Sequence, residues 1–274
     1  MCDARIKVAL PDGRASDIPS KIMTRRRFYA PRISFSPDRT SVTLSADETR
    51  HLRDVLRLRT GDEAYVFDGE GKEFCAVVTE TARAAATLRL VKEIDPASPE
   101  SPLHLTLAVA LLKGEKFDVV VQKATELGVA CVIPIITFRA DVKVHNPDDA
   151  QRKQARWQRV ALEAAKQSGR ARLMQIEAPR SFAELIARPA VDDELRIMFA
   201  ERDGSALASA TDSSDRPSSV TAIVGSEGGW TDEEIDQARA GGWKIVTLGG
   251  RTLRAETAAV VIAALLQHTF GDLR

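Results

Sequence analysis

The stretch VTAIVGSEGGW, residues 220–230, decides the fold. It begins with five apolar or β-branched residues, as expected of a strand buried in a parallel sheet, and Gly225, Gly228 and Gly229 follow at once. Thr231 is then suited to begin a helix as its N-cap. Glycines directly after a parallel strand let the backbone approach a ligand at the sheet edge where open α/β folds bind small molecules. The glycine spacing matches neither a Rossmann motif nor a phosphate loop, so it does not identify the ligand. We predict that the segment is a ligand-binding loop. The alternative is a tight turn that only connects the strand to the helix.

A second stretch, TLGGRTLRAETA at residues 247–258, repeats this arrangement. It follows a strand predicted over residues 243–248 and precedes a helix that is apolar on nearly every side. Such a helix must be buried in a core or a subunit interface. Two arginines and a carboxylate at a sheet edge suit anion binding or proton transfer, whereas a helix start with a surface Arg–Glu pair is the plainer alternative. The polar set consists of Gly249, Gly250, Arg251, Arg254 and Glu256.

Strands alternate with helices from residue 103 onward, which predicts an α/β domain with a parallel sheet covered on both faces. Gly128 is suited to end one of these helices in the left-handed conformation. The predicted strands are 103–111, 129–136, 194–199, 220–224 and 243–248, and the predicted helices are 115–127, 149–167, one capped by Thr231, and 255–270.

The part of the chain before residue 96 has a different pattern of residue types. Residues 25–95 carry short β-rich runs at 27–30, 42–44, 63–67, 74–79 and 87–91, interrupted by one helix capped by Ser45. Leu52, Val55 and Leu56 form the predicted apolar side of that helix, and Arg50, Arg53 and Arg57 the opposite side. This pattern favours a small β-barrel, but a β-sandwich would have the same pattern. Residues 96–102, with three prolines, predict a linker, and residues 1–24 a flexible extension.

Composition excludes several classes of protein. The chain has 274 residues, with 39 Lys and Arg against 39 Asp and Glu. Three widely spaced cysteines and four histidines without metal-ligand spacing disfavour a disulfide framework and a metal site. The longest apolar runs are well short of the ~20 residues of a membrane helix, and charges interrupt the N-terminus before a signal peptide can form. We therefore expect a cytoplasmic protein with no membrane association and no metal.

The zero net charge conceals a strong asymmetry along the chain. Residues 1–59 contain 13 Lys and Arg against 7 Asp and Glu, and residues 138–172 contain 9 against 4. Residues 182–236 contain 4 against 13. Two basic regions suit a nucleic-acid partner, although solvated surface has the same composition. In the long helix and just beyond it, one face carries Arg152, Arg156, Arg159, Glu163, Lys166 and Arg170.

Read in order, these segments resemble the ribosomal RNA small subunit methyltransferase E family of the SPOUT superfamily, which methylates N3 of uridine. The matching stretches are RRFYAP (26–31), HLRDVLRLRTGDEAYVFDG (51–69), KGEKFDVVVQKATELGV (113–129), QSGR (167–170), IVGSEGGWTDEE (223–234) and LGGRTLRAETA (248–258). The resemblance implies an N-terminal PUA-like β-barrel over residues 25–95 that grips RNA. It also implies a trefoil-knotted methyltransferase domain over residues 103–274, and a homodimer that completes each active site.

For the implied reaction we expect roles for individual residues. Arg254 is expected to stabilise the developing uracil anion, and Glu227 or Glu256 to accept the N3 proton or to orient an arginine. The implied S-adenosylmethionine site comprises Gly225, Ser226, Glu227, Gly228, Gly229, Leu248, Gly249, Leu253 and Arg254. The expected contacts with 16S rRNA, or with the small ribosomal subunit, are Arg26, Arg27, Arg50, Arg53, Arg57, Lys113, Lys116, Arg156, Arg159, Gln167, Arg170 and Arg251.

The chain departs from the family pattern at two loop positions, where Ser226 and Gly250 replace prolines. Both changes remove a restriction on the backbone and are expected to loosen the loops. Two other functions therefore stay open. One is a related knotted enzyme that methylates transfer RNA, and the other is a noncatalytic RNA-binding assembly factor that has lost its cofactor.

Overall fold

The computed structural model describes residues 25–211 and 216–273. The extension predicted for residues 1–24 lies outside these described residues. The chain divides into two compact units between Ser98 and Pro99, within the segment 96–102 that the sequence suggests as a linker.

The first unit is built on one five-stranded sheet, curled into a half-barrel. Its strands are β1 (Arg27–Tyr29), β2 (Ser41–Thr43), β3 (Glu63–Phe67), β4 (Glu73–Thr81) and β5 (Ala86–Ile94), with helix α1 (Ala46–Arg50) after β2. The order is β1-β3-β4-β5-β2, with β1 and β3 parallel and the other neighbours antiparallel. Phe28, Leu52, Val66 and Leu88 are fully buried in its core. All five predicted strands are present.

The helix of this unit departs from its prediction. A π-helical turn, His51–Val55, continues α1, and each residue in it advances less around the axis than in an α-helix. Leu52 stays buried, but Val55 is 63% exposed rather than on the apolar side. Arg57 has a left-handed φ of +55° and lies beyond the helix, so it does not extend the face of Arg50 and Arg53.

The second unit contains the predicted parallel sheet. Its strands are β6 (His104–Ala110), β7 (Cys131–Ile136), β8 (Gln175–Ile176), β9 (Arg180–Ser181), β10 (Glu194–Phe199), β11 (Ser219–Val224) and β12 (Lys244–Val246). The order is β12-β10-β11-β6-β7-β8, with β9 also paired to β7, and every pair is parallel. Strands β8 and β9 have two residues each, too short for a periodic pattern to predict.

Helices cover both faces of this sheet. They are α2 (Lys116–Glu126), α3 (Pro147–Ser168), α4 (Phe182–Ile186), α5 (Leu207–Thr211), α6 (Asp232–Ala240) and α7 (Ala255–Phe270). One apolar cluster joins the strands to α2, α3 and α7, and the other joins them to α4 and α6. Because strand side chains alternate between faces, Val220 belongs to the first cluster and Ile223 to the second. No helix within the described residues combines the length and apolarity needed to cross a membrane.

The predicted helix ends are also present. Thr231 and Glu234 form a reciprocal capping box at the start of α6, with backbone-to-side-chain distances of 3.0 and 3.2 Å. Gly128 follows α2 with a φ of +75°. Gly169, for which we make no prediction from sequence, ends α3 in the same left-handed conformation. The caps at Thr231 and Gly128 could be predicted from sequence because each satisfies backbone groups that a helix end leaves unpaired.

Candidate active site

The two glycine-rich stretches meet at the carboxyl edge of the parallel sheet. The loop after β11 and the loop after β12 enclose a cavity of about 540 Å³ together with the end of β10 and the start of α7. This volume is typical of small-molecule sites. Of the residues predicted to bind cofactor, the cavity wall contains Gly225, Ser226, Glu227, Gly228, Gly229, Leu248, Leu253 and Arg254. Gly249 does not line the cavity, whereas its neighbour Gly250 does.

Several other residues that line the cavity were not predicted from the sequence. Phe199, Ala200 and Glu201 come from the end of β10, which sheet pairing places directly beside β11. Ala255, Ala258 and Ile262 come from α7. The carboxyl ends of neighbouring parallel strands share one edge, so the end of β10 could have been proposed once the strand order was known. The sequence contains no signal for that order.

Trp230 determines the shape of the first loop. Its indole is buried, its Nε1 donates to the Phe199 carbonyl at 2.9 Å, and its ring lies 5.2 Å from that of Phe182. A Cβ on Gly225 would lie 2.9 Å from the indole, so a side chain at that position does not fit. Gly229 has a φ of +67°, which favours glycine for a second reason. The Trp230 indole and the left-handed Gly229 therefore constrain the conformation of this loop.

Glu227 forms an ion pair with Lys116 at the start of α2, with a distance of 2.5 Å between Lys116 Nζ and Glu227 Oε1. Partial burial acts to raise the pKa of Glu227, but the hydrogen bond and positive charge of Lys116 hold that pKa below its usual range. The same hydrogen bond raises the pKa of Lys116. Glu227 is thus a carboxylate at neutral pH, and Lys116, predicted to contact RNA, has a partner in the cavity wall.

Arg254 and Arg251 lie at the mouth of the cavity. Both are exposed, and within the described residues neither guanidinium has a hydrogen-bond or ion-pair partner. Arg254 occupies the N-cap position of α7, where its side chain makes no capping bond. Glu256 lies in the first turn of α7 and not in the cavity wall. Its Oε2 is buried and has no hydrogen-bond partner among the described residues.

Most predicted RNA contacts are accessible. Arg26, Arg57, Arg159 and Gln167 are exposed. Four others are exposed or half-exposed within ion pairs: Arg50 with Asp47, Arg53 with Asp54, Lys113 with Asp141, and Arg156 with Asp118.

Arg27 and Arg170 do not fit the prediction of RNA contact, because both side chains are buried. Arg27 donates to both oxygens of Glu73, at 3.0 and 3.1 Å, and stacks over Phe67. Arg170 lies beyond the end of α3, donates to Glu100 at 2.7 Å and donates to two backbone carbonyls at 2.9 Å. Each arginine therefore stabilises the core of its own unit. Helical spacing could not show that Arg170 turns inward after Gly169.

Comparison with known proteins defines the class. A profile of the RNA methyltransferase domain matches residues 99–267, and a profile of the RNA methyltransferase PUA domain matches residues 44–91. The chain is an RNA methyltransferase with a PUA-like N-terminal domain. More narrowly, it belongs to the ribosomal RNA small subunit methyltransferase E family, as its resemblance in sequence implied.

Three relatives support this assignment. The family member from Synechocystis is 37% identical over 225 residues, covering 82% of this chain and 72% of the relative. The Bacillus subtilis member is 29% identical over 236 residues, covering 85% and 91%. The solved structure of the Neisseria gonorrhoeae member, bound to S-adenosylmethionine, is 32% identical and superposes with a TM-score of 0.81, covering 91% and 100%. The predicted fold class, a SPOUT-type α/β domain after a PUA-like domain, is confirmed.

Proposed function

We propose that this chain transfers a methyl group from S-adenosylmethionine to N3 of one uridine in 16S rRNA of the small ribosomal subunit. The observation that carries the proposal is the cavity between the two glycine-rich loops, with Arg254 at its mouth, in a chain of this family. The proposal includes action in the cytoplasm.

The cavity suits the cofactor. Phe199, Val224 and Ile262 provide apolar surface for the adenine ring, and the carboxylates of Glu201 and Glu227 complement positive charge. Ser226 is only 8% exposed, and its Oγ has no partner among the described residues. A buried hydroxyl without a partner is costly, so a ligand atom that bonds to it is favoured. When bound, S-adenosylmethionine supplies an electrophilic methyl group.

Arg254 provides the electrostatic part of the reaction. Uracil N3 carries a proton and becomes nucleophilic only as that proton leaves, so negative charge develops on O2 and O4. A guanidinium without an internal partner can donate to those oxygens where it stands, at the mouth of the cavity. Arg251 lies three residues away and suits an RNA phosphate.

Glu227 is the carboxylate that we assign to accept the proton. It lines the cavity, and its ion pair with Lys116 keeps it ionised. Glu256 is outside the wall and has a buried oxygen, and its negative charge acts to raise the pKa of Lys116, so we assign it an electrostatic role toward Lys116. Orientation of the two reactants in one cavity provides much of the rate. Within the described residues, no group of three or more His, Cys, Asp or Glu is arranged to hold a metal ion.

We also propose a homodimer. Ala258, Val261 and Leu265 follow one another at helical spacing on α7 and are only partly buried. Val119 on α2, the helix packed against α7, is 42% exposed. A partly exposed apolar surface of this kind suits contact with a second copy.

Mass mapping of 16S rRNA tests the function. A strain that lacks the gene should lose one N3-methyluridine, and the wild-type gene should restore it. Persistence of the mark at full level contradicts the proposal. Loss of a mark on transfer RNA instead would support the related-enzyme alternative, and absence of S-adenosylmethionine binding in calorimetry would support the noncatalytic one.

A further inference from the structure

Phe138 is an exposed aromatic residue beside the active site. Its side chain is 84% exposed. Among the described residues, no other Phe, Tyr or Trp is exposed. It follows β7, the strand next to β6, at the same carboxyl edge of the sheet as the cavity. Single exposed apolar residues are common on protein surfaces, so the significance of this ring rests on its location beside the cavity.

The backbone that carries this ring is anchored on both sides. The Phe138 N–H donates to Glu234 Oε1 at 3.0 Å, at the capping box of α6. The next residue, Arg139, donates through Nη1 to the Gly228 carbonyl at 3.2 Å. A Cβ on Gly228 would lie 2.9 Å from the Arg139 Cβ, so the segment packs directly against the first glycine loop. The backbone at Phe138 is therefore held next to a segment that contacts Gly228, a residue of the cavity wall.

The surroundings favour RNA as the partner. Lys113, Arg139 and exposed Lys143 lie in the loops at this edge, and Arg251 and Arg254 lie at the cavity mouth. Asp141 pairs with Lys113 and Glu227 pairs with Lys116, whereas Lys143, Arg251 and Arg254 have no ion-pair partner among the described residues. RNA is read largely through unstacked bases placed on aromatic side chains, with cations tracking the backbone.

We infer that Phe138 is a stacking platform for an RNA base next to the methylated uridine. This inference rests on the proposed function, because it places the platform beside the site of methyl transfer. A base on the ring would hold the neighbouring nucleotide at the cavity mouth and contribute to substrate binding. The binding energy expected of one stacked base corresponds to roughly a 5- to 150-fold change in affinity.

The test compares Phe138→Ala with Phe138→Trp, using an oligouridylate that contains one 2-aminopurine. Binding of the wild-type protein should quench the 2-aminopurine fluorescence. Phe138→Ala should lower the affinity about tenfold or more and remove the quenching, and Phe138→Trp should retain both. Val191→Ala, which removes an apolar side chain exposed elsewhere on the same unit, is the matched control and should behave as the wild type.

Kinetics separate this inference from the proposed function. With 16S rRNA as substrate, Phe138→Ala should raise KM for RNA about tenfold while calorimetry finds the wild-type affinity for S-adenosylmethionine. If the wild-type protein methylates the RNA and Phe138→Ala has the same KM, the platform is wrong and the proposed function stands. If the wild-type protein neither binds S-adenosylmethionine nor methylates RNA, the proposed function fails. If Phe138→Ala converts a dimer to a monomer by light scattering, a second copy covers the ring and the inference is overturned.

Discussion

Lys116 Nζ lies 2.5 Å from Glu227 Oε1, and this ion pair joins the first turn of α2 to the loop after β11. The two residues are 111 positions apart, so only the folded chain brings them together. Sequence alone suggested that Lys116 contacts RNA and left Glu227 as one of two possible bases. In the structure, the ion pair acts to lower the pKa of Glu227 and to raise that of Lys116.

Replacing Lys116 with Met should raise the pKa of Glu227, because burial then acts without the opposing hydrogen bond. In the folded wild type this pKa is lower than the ordinary value of 4.5, so the ion pair stabilises the fold above that pH. Its contribution is lost as the pH falls through the lowered pKa. The stability difference between wild type and Lys116→Met should thus be present at pH 7 and vanish in acid.

Carbon-13 NMR titration of the Glu227 carboxyl group measures this pKa directly. Lys113→Met is the control, because Lys113 pairs with Asp141 and not with Glu227. Its Glu227 titration should stay close to that of the wild type. An unchanged Glu227 pKa in Lys116→Met would contradict the assigned cause.

Arg254→Ala should lower kcat by about 10²- to 10³-fold, the usual effect of losing one donor to a developing oxyanion. The dimer should persist, because the Arg254 side chain makes no capping bond and no contact in the core. Methyl transfer from labelled S-adenosylmethionine measures the rate, and light scattering measures the mass. Near-normal methylation by this variant rejects the proposed role of Arg254.

Gly250→Ala should weaken S-adenosylmethionine binding by about fivefold or more. Gly250 lines the cavity with a φ of +93°, and the left-handed conformation costs other residues roughly 1–2 kcal/mol. No atom lies within 4 Å of an added Cβ, so the variant tests backbone conformation without a steric clash.

Gly249→Ala is the matched comparison for this test. Gly249 also has open space around an added Cβ, but its φ is not in the left-handed range and it does not line the cavity. Calorimetry should find a smaller loss of affinity than in Gly250→Ala. Equal losses in the two variants argue against a conformational role for Gly250.

Arg170→Met should destabilise the second unit by roughly 3–5 kcal/mol, because it leaves Glu100 and two backbone carbonyls without their buried partner. Arg172→Met removes an exposed arginine two positions away and should change stability by less than about 0.5 kcal/mol. Denaturant unfolding followed by tryptophan fluorescence measures both. A wild-type unfolding midpoint for Arg170→Met, together with weaker RNA binding, restores the sequence-based interpretation.

Local pattern predicted much of this architecture. Helix α7 and the strands β3 and β10 have the bounds that the sequence predicted, since apolar periodicity and caps act over a few neighbouring residues. The π-helical turn was missed because it changes the angular spacing without a sequence signal, and Val55 points outward as a result. Four elements are too short to show a periodic pattern of apolar residues and were therefore not predicted from the sequence: β8, β9, α4 and α5.

By itself, the sequence determined the two glycine-rich loops, the helix caps at Thr231 and Gly128, and the α/β alternation, because each depends on local backbone conformation and side-chain periodicity. The tertiary structure alone decided which charged groups meet. It placed Lys116 against Glu227, buried Arg27 and Arg170, and brought the end of β10 beside β11. Such contacts join residues far apart in the chain, and their energy depends on burial and distance, which no local pattern contains.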